Sequence, residues 1–181
     1  MTFKQLMELA MDELHRPLDA MTSADYQQRM MRFANEAIID ITGSFRPWRR
    51  DTLLVTSDKI ALNQLPYKCQ KVLSVDYNGE RYPFYYGYNT DELIVKSIPD
   101  GEVNVTYRYI PPKLKSMTDV PQLPEFLHSL IVTYMVARER IQLDSVAQSG
   151  AKVNLSLYET LKRRYKISMD EPDSCNIYNQ Y

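Results

Sequence analysis

The sequence predicts an α+β protein: a four-helix bundle, built from two N-terminal and two C-terminal helices, with an inserted antiparallel β meander and an extended C-terminal arm. Three observations predict it. Apolar residues recur at helical spacing from about residue 2 to 42, and again from about 124 to 167. Between those stretches, short β-prone runs are separated by turn dipeptides. Beyond residue 167 neither period continues, and Pro172 interrupts the segment.

The first helix, about 2–16, opens on a capping box formed by Thr2 and Gln5 and carries the stripe Phe3, Leu6, Met7, Ala10, Met11 and Leu14, before Pro17 ends it. The second, about 23–42, is capped by Thr22 or Ser23 and striped by Tyr26, Met30, Phe33, Ala34, Ala37, Ile38 and Ile41. Gly43 is placed to terminate it. Arg29, Arg32, Asn35 and Asp40 lie off that stripe. The β insertion, about 50–110, contains runs at 53–55, 60–62, 72–77, 93–95 and 103–109, with turns at Ser57-Asp58, Asn78-Gly79 and Pro99-Asp100-Gly101. The last run alternates, so Val103, Val105, Tyr107 and Tyr109 face a core while Glu102, Asn104, Thr106 and Arg108 face water. Pro124 and Glu125 suit the first turn of a third helix, about 124–143, striped by Leu127, Leu130, Ile131, Tyr134, Met135, Arg138 and Ile141. A fourth, about 145–167, carries Ala147, Ala151, Leu157, Tyr158, Leu161 and Tyr165.

Composition narrows the function. At 181 residues the chain is long enough for a real core, and 44% hydrophobic with 25% charged residues is the balance of a soluble globular protein. Its 22 basic and 23 acidic residues create no field that calls for nucleic acid or an anionic membrane. The longest apolar run, 130–137, is far too short to cross a bilayer, and residues 3–14 are too charged for a signal peptide. Cys69 and Cys175 form no ligand spacing, and neither His15 nor His128 stands near a second metal donor, so no metal site is expected. Five glycines build no phosphate loop and no nucleophile elbow. No catalytic residues and no cofactor site are predicted. Fourteen tyrosines and nine methionines are the unusual numbers, and both residue types favour protein interfaces.

Three stretches hold the candidate interface residues. In RPWRR, Arg46, Arg49 and Arg50 surround Trp48. Pro47 and Trp48 are expected to anchor the passage from helix to sheet, leaving the arginines solvated, locally paired, or offered to an acidic partner. In VDYNGERYPFYYGYN, a type I′ turn at Asn78-Gly79 pairs Tyr77 with Glu80, Asp76 with Arg81, Val75 with Tyr82, Ser74 with Pro83 and Leu73 with Phe84. Leu73, Val75, Tyr77, Tyr82 and Phe84 then share the buried face, and Pro83 marks a sheet edge. Tyr85, Tyr86 and Tyr88 fall in the loop beyond, free for an interface. In the arm, Ile177, Tyr178 and Tyr181 form a third candidate anchor set.

The helical hairpin followed by LNQLPYKCQKVLSVDYNGERYPF, then DELIVKSIPDGEVNVTYRYIPPKL, then DVPQLPEFLHSLIVTYMVARERI resembles the head-tail connector (adaptor) proteins of tailed bacteriophages. The resemblance covers about residues 1–167, carried by "LP…KVLSVDYNG", a strand ending in "VTYRYIPP", and "LPEFLHSLIVTYMVARERI", with a β region longer than in compact members. It implies one adaptor domain over 1–167 with an interaction arm at 168–181. It also implies a non-enzymatic virion protein, made in the bacterial host cytoplasm and placed at the head-tail junction, where a homo-oligomeric ring, commonly a dodecamer, lies below the portal. The portal protein and the next tail or stopper protein are the implied partners, and DNA passes through the channel without sequence-specific binding. The alternatives are a stopper or tail-completion protein, a receptor- or glycan-binding module that uses the tyrosine loop, and an enzyme with a dispersed site.

Overall fold

The computed structural model describes residues 1–88, 91–142 and 145–169. They divide into two units, residues 46–112 and the helical residues on either side of that segment.

In the helical unit, α1 (Phe3–Glu13) opens as its sequence dictates. The Thr2 side chain accepts from the Gln5 N–H, and the Gln5 side chain accepts from the Thr2 N–H. The next two amides donate to the connection that returns from the sheet: Phe3 N–H to Asp119 and Lys4 N–H to Met117. All the orphan donors of this helix start are thereby satisfied. Its other end is a Schellman turn. His15 takes φ +52°, its N–H donates to Asp12, and Arg16 N–H donates to Met11.

A 3-10 turn (Leu18–Thr22) leads to α2 (Ala24–Phe45), where Ser23 caps the amide of Tyr26. Gly43 does not end this helix. It stays helical, with open space where a side chain would be, and the exit comes at Arg46, whose φ is +50°. Pro47 favours an end here, since a proline disfavours the right-handed helical region at the preceding residue. The 3-10 turn Glu125–Leu127 precedes α3 (His128–Gln142), and α4 (Ser145–Met169) follows.

The helix α3 packs against α1, α2 and α4, so its burial extends beyond the expected stripe. Val132, Val136, Ala137 and Glu139 are buried as well as Leu130, Ile131 and Met135, whereas Ile141 is exposed. A helix enclosed by others is apolar on more than one face. Phe3, Leu6, Met7, Met11, Met30, Phe33 and Leu127 complete this core. Each such side chain is worth about 1.5–3 kcal/mol when fully buried.

The β unit corrects the expected fold class. It is no small meander inside a helical bundle; it is a seven-stranded antiparallel sheet with a core of its own. Its strands are β1 (Trp48–Thr56), β2 (Lys59–Ala61), β3 (Lys68–Tyr77), β4 (Glu80–Tyr82), β5 (Tyr85–Tyr86), β6 (Glu92–Ile94) and β7 (Gly101–Ile110). They lie in the order β4-β3-β7-β1-β2-β6-β5. A meander keeps sequence order, but here three hairpins (β1–β2, β3–β4, β5–β6) are gathered by β7, which inserts between β3 and β1. β4 and β5 stand at opposite ends of that order, yet only Pro83 and Phe84 separate them in sequence. The sheet must therefore curl back on itself as a half-barrel.

Its interior holds Leu53, Val55, Ile60, Val72, Val75, Leu93, Val103, Val105 and Tyr107, with the inward residues of β7 as the alternation predicts. Ser57 and Asp58 both take positive φ at the β1–β2 turn, as do Asn78 and Gly79 at the β3–β4 turn. The expected register holds for Tyr77 with Glu80, Asp76 with Arg81 and Val75 with Tyr82. It stops there, because β4 ends at Tyr82 and the pairs Ser74–Pro83 and Leu73–Phe84 do not form. Leu73 is also not on the buried face. Register shifts against β7, between Cys69 and Lys71 and between Val72 and Ser74, place Val72 inside and leave Leu73 exposed.

Candidate protein interface

The segment Arg46–Arg50 is dispersed by strand alternation. Arg46 forms the helix exit, and Pro47 is buried, its carbonyl accepting from the Tyr109 N–H. Trp48, expected as an anchor, opens β1 on the outer side of the sheet and is 63% exposed. Arg50 points outward with it and pairs with Asp76 at 3.3 Å. Arg49 points the other way. Its guanidinium donates to Asp51 Oδ1 at 2.6 Å and lies 4.8 Å from the centre of the Tyr67 ring. The second Asp51 oxygen accepts from the hydroxyl of the fully buried Tyr107 at 2.7 Å. Burial, reinforced by that hydrogen bond and by the Asp51 charge, pushes the Tyr107 phenol far above its ordinary range. Arg49 is thus paired on the inner side of the sheet, with 38% of its side chain still exposed, and Trp48 and Arg50 are the residues of RPWRR that β1 turns outward.

The tyrosines divide differently from the expectation. Tyr85 and Tyr86 are not loop residues; they form β5 and pair with Ile94 and Leu93. Both are exposed at the ring, and Tyr88 is fully so. The Tyr86 hydroxyl accepts from the Val72 N–H at 3.0 Å, tying β5 to β3 across the opening of the half-barrel. The sequence offered no signal for that contact, because it joins strands that are not paired. Phe84 packs edge-on to Tyr86, with ring centres 6.2 Å apart, and Tyr82 packs edge-on to Tyr77. Tyr82 and Phe84 lie partly buried against the sheet core. A cleft of about 620 Å³ lies at the opening, between Leu62, Leu65, Tyr67, Cys69, Tyr86 and Asp91. Burial pushes the Cys69 thiol up, which makes it a poor nucleophile. Ile177, Tyr178 and Tyr181 lie outside the described residues.

The helical unit holds polar groups that the stripes passed over. Glu139, 1% exposed, receives Arg16 at 3.0 Å and Arg29 at 3.1 Å on one carboxylate oxygen. Both guanidinium groups also lie against the Tyr26 ring. Asp40 accepts from Tyr158 and Lys162 of α4, and Asn35 makes two hydrogen bonds to the backbone of Leu114. The His128 ring is buried, hydrogen-bonded to the Met1 amino group and the Leu123 carbonyl, and desolvation lowers its pKa. These are packing and tying roles. Among the described residues, no group of three or more His, Cys, Asp or Glu could hold a metal ion.

The chain matches the family model of the SU10 adaptor protein over residues 1–174. It belongs to the SU10 adaptor family. No curated protein matches it. As a phage adaptor it is a structural protein of the virion that interacts with other head and tail proteins. No described helix of this family member is long and apolar enough to cross a membrane.

Proposed function

We propose that the chain assembles as a closed ring below the portal, joins capsid to tail, and continues the channel through which DNA passes without sequence-specific recognition. The family match over residues 1–174 carries this reading. The exposed Trp48, Tyr85 and Tyr88 support it, since large aromatics left on a surface mark contacts that other chains complete. A ring follows from symmetry, because one heterologous interface repeated around a closing rotation needs no second chain type. α4 takes up the first two residues of the segment 168–181, and the rest serves as the arm, with Ile177, Tyr178 and Tyr181 as its anchors on the portal or a neighbour. The test is to mix the purified chain with the portal of the same virion and image the product by electron microscopy. A stoichiometric ring on one face of the portal is expected. A chain that stays apart from portal and virion at micromolar concentration would defeat the proposal.

A further inference from the structure

The outer side of the sheet is built in cross-strand rows. Lys68 faces Ile110; Lys71, Arg108 and Trp48 line up across β3, β7 and β1; and Glu102 faces Leu54. Between these rows, Arg50 and Arg81 are tied to the single carboxylate of Asp76. Among the described residues, Lys68, Lys71 and Arg108 have no acidic partner. Three large apolar side chains stand among these cations, with Trp48 63%, Leu54 59% and Ile110 42% exposed. Nucleic acid would use the cations and leave the aliphatic groups wet, whereas a protein surface with carboxylates and apolar gaps would use both.

The chain itself carries a surface of that kind. On α1 and the following 3-10 turn, Glu8, Asp12 and the exposed Leu9 and Leu18 line a groove of about 540 Å³, together with Arg16, whose guanidinium is held by the buried Glu139; Asp19 is exposed next to Leu18 in sequence. Lys4 reaches Glu8 only at 3.9 Å, and no ion pair ties Asp12 or Asp19 among the described residues.

We infer that the outer sheet face of one copy docks on the α1 groove of the next, Lys71 and Arg108 meeting Glu8 and Asp12 while Trp48 and Leu54 cover Leu9 and Leu18. The two surfaces are different, so the contact is heterologous and repeats around a ring. The inference rests on the adaptor reading for the ring, and deepens it by naming the contact between copies.

Charge reversal tests it on the portal-bound assembly. Lys71→Glu with Arg108→Glu sets acid against acid, and Glu8→Lys with Asp12→Lys sets base against base. Each pair of changes should weaken ring formation about tenfold or more. The four changes combined in one chain restore opposite charges and should recover the ring, as should an equal mixture of the two reversed chains. All four positions are on the surface, so thermal unfolding of the free chains should stay near that of the parent. Zero-length amine–carboxyl coupling of the parent assembly should join Lys68 or Lys71 to Glu8 or Asp12 of another copy. Reversed chains that still form rings on the portal would overturn the contact and leave the adaptor reading standing. Losses that recombination fails to rescue would overturn it as well. So would binding of an about 30-base-pair DNA duplex that disappears with Lys71→Glu and Arg108→Glu, since it would assign the face to nucleic acid.

Discussion

Asp51 shows how much one residue decides in the sheet. Its two oxygens accept from Arg49 and from the buried Tyr107 hydroxyl, and its own side chain is 16% exposed. Asp51→Ala leaves a buried hydroxyl and an inward guanidinium without an acceptor, which should cost about 2 kcal/mol of stability. Urea unfolding followed by the fluorescence of Trp48, the one tryptophan, measures it. Trp48→Ala, read by circular dichroism because it removes the fluorophore, should cost well under half as much. An equal loss from both changes would contradict the inward placement of Arg49 and the outward placement of Trp48. Glu139 is the helical counterpart, a buried carboxylate that two arginines make tolerable.

At the scale of elements, Asp40 joins α2 to α4. Burial works to raise its carboxyl pKa, but the hydrogen bonds from Lys162 and Tyr158 outweigh that and hold it below the usual carboxylate range. Lys162 resists the opposite effect of its own burial through Asp40 and Glu159, so it remains charged over the acid range. The folded carboxyl is therefore a stronger acid than the unfolded one. The stability that this tie contributes is present above the unfolded pKa and is lost as the pH falls through the folded one. The stability difference between the parent and Asp40→Asn should shrink as the pH is lowered through and below the ordinary carboxylate range, as read by thermal unfolding at a series of pH values. A difference that stays constant with pH would show that Asp40 does not act through its charge. The hairpin β3–β4 depends instead on local backbone geometry: Asn78 and Gly79 take positive φ, and the side chains above them follow that register for three pairs.

For the molecule as a whole, the helical residues and the sheet each enclose a separate hydrophobic core. Stability that resides in separate cores opens in separate cooperative units. Val105→Asp places a charge inside the sheet, and Ala34→Asp places one inside the helical core. Hydrogen exchange should show Val105→Asp stripping protection from residues 46–112 and Ala34→Asp stripping it from the helices. If either lesion removes protection everywhere, the two cores unfold as one.

Much of this was legible in the residues alone. The four helices lie on the stretches that carry the 3.6-residue period, although α1 ends at Glu13 and α2 runs past Gly43 to Phe45; Thr2 and Gln5 form the expected capping box, and β7 buries the predicted alternate positions. The Asn78-Gly79 turn set three hairpin pairs, and the order of elements pointed to phage adaptors. Those features depend on neighbours within a few positions, and the chain writes such relations directly. Strand order, curl and bulges depend on residues far apart. β4 and β5 have three and two residues, too few to carry a period, so neither the half-barrel nor the strand role of Tyr85 and Tyr86 had a local signature. Arg49 and Trp48 are adjacent in sequence and opposite in the sheet, because alternation guarantees two faces without saying which one is inside. Val72 took the inner position that Leu73 was expected to hold because long-range pairing with β7 carries a register shift between Val72 and Ser74. Only the curling of that sheet, burying apolar side chains of β1, β2, β3, β6 and β7 around one interior, decided which side of each of these strands became core and which was left for a partner.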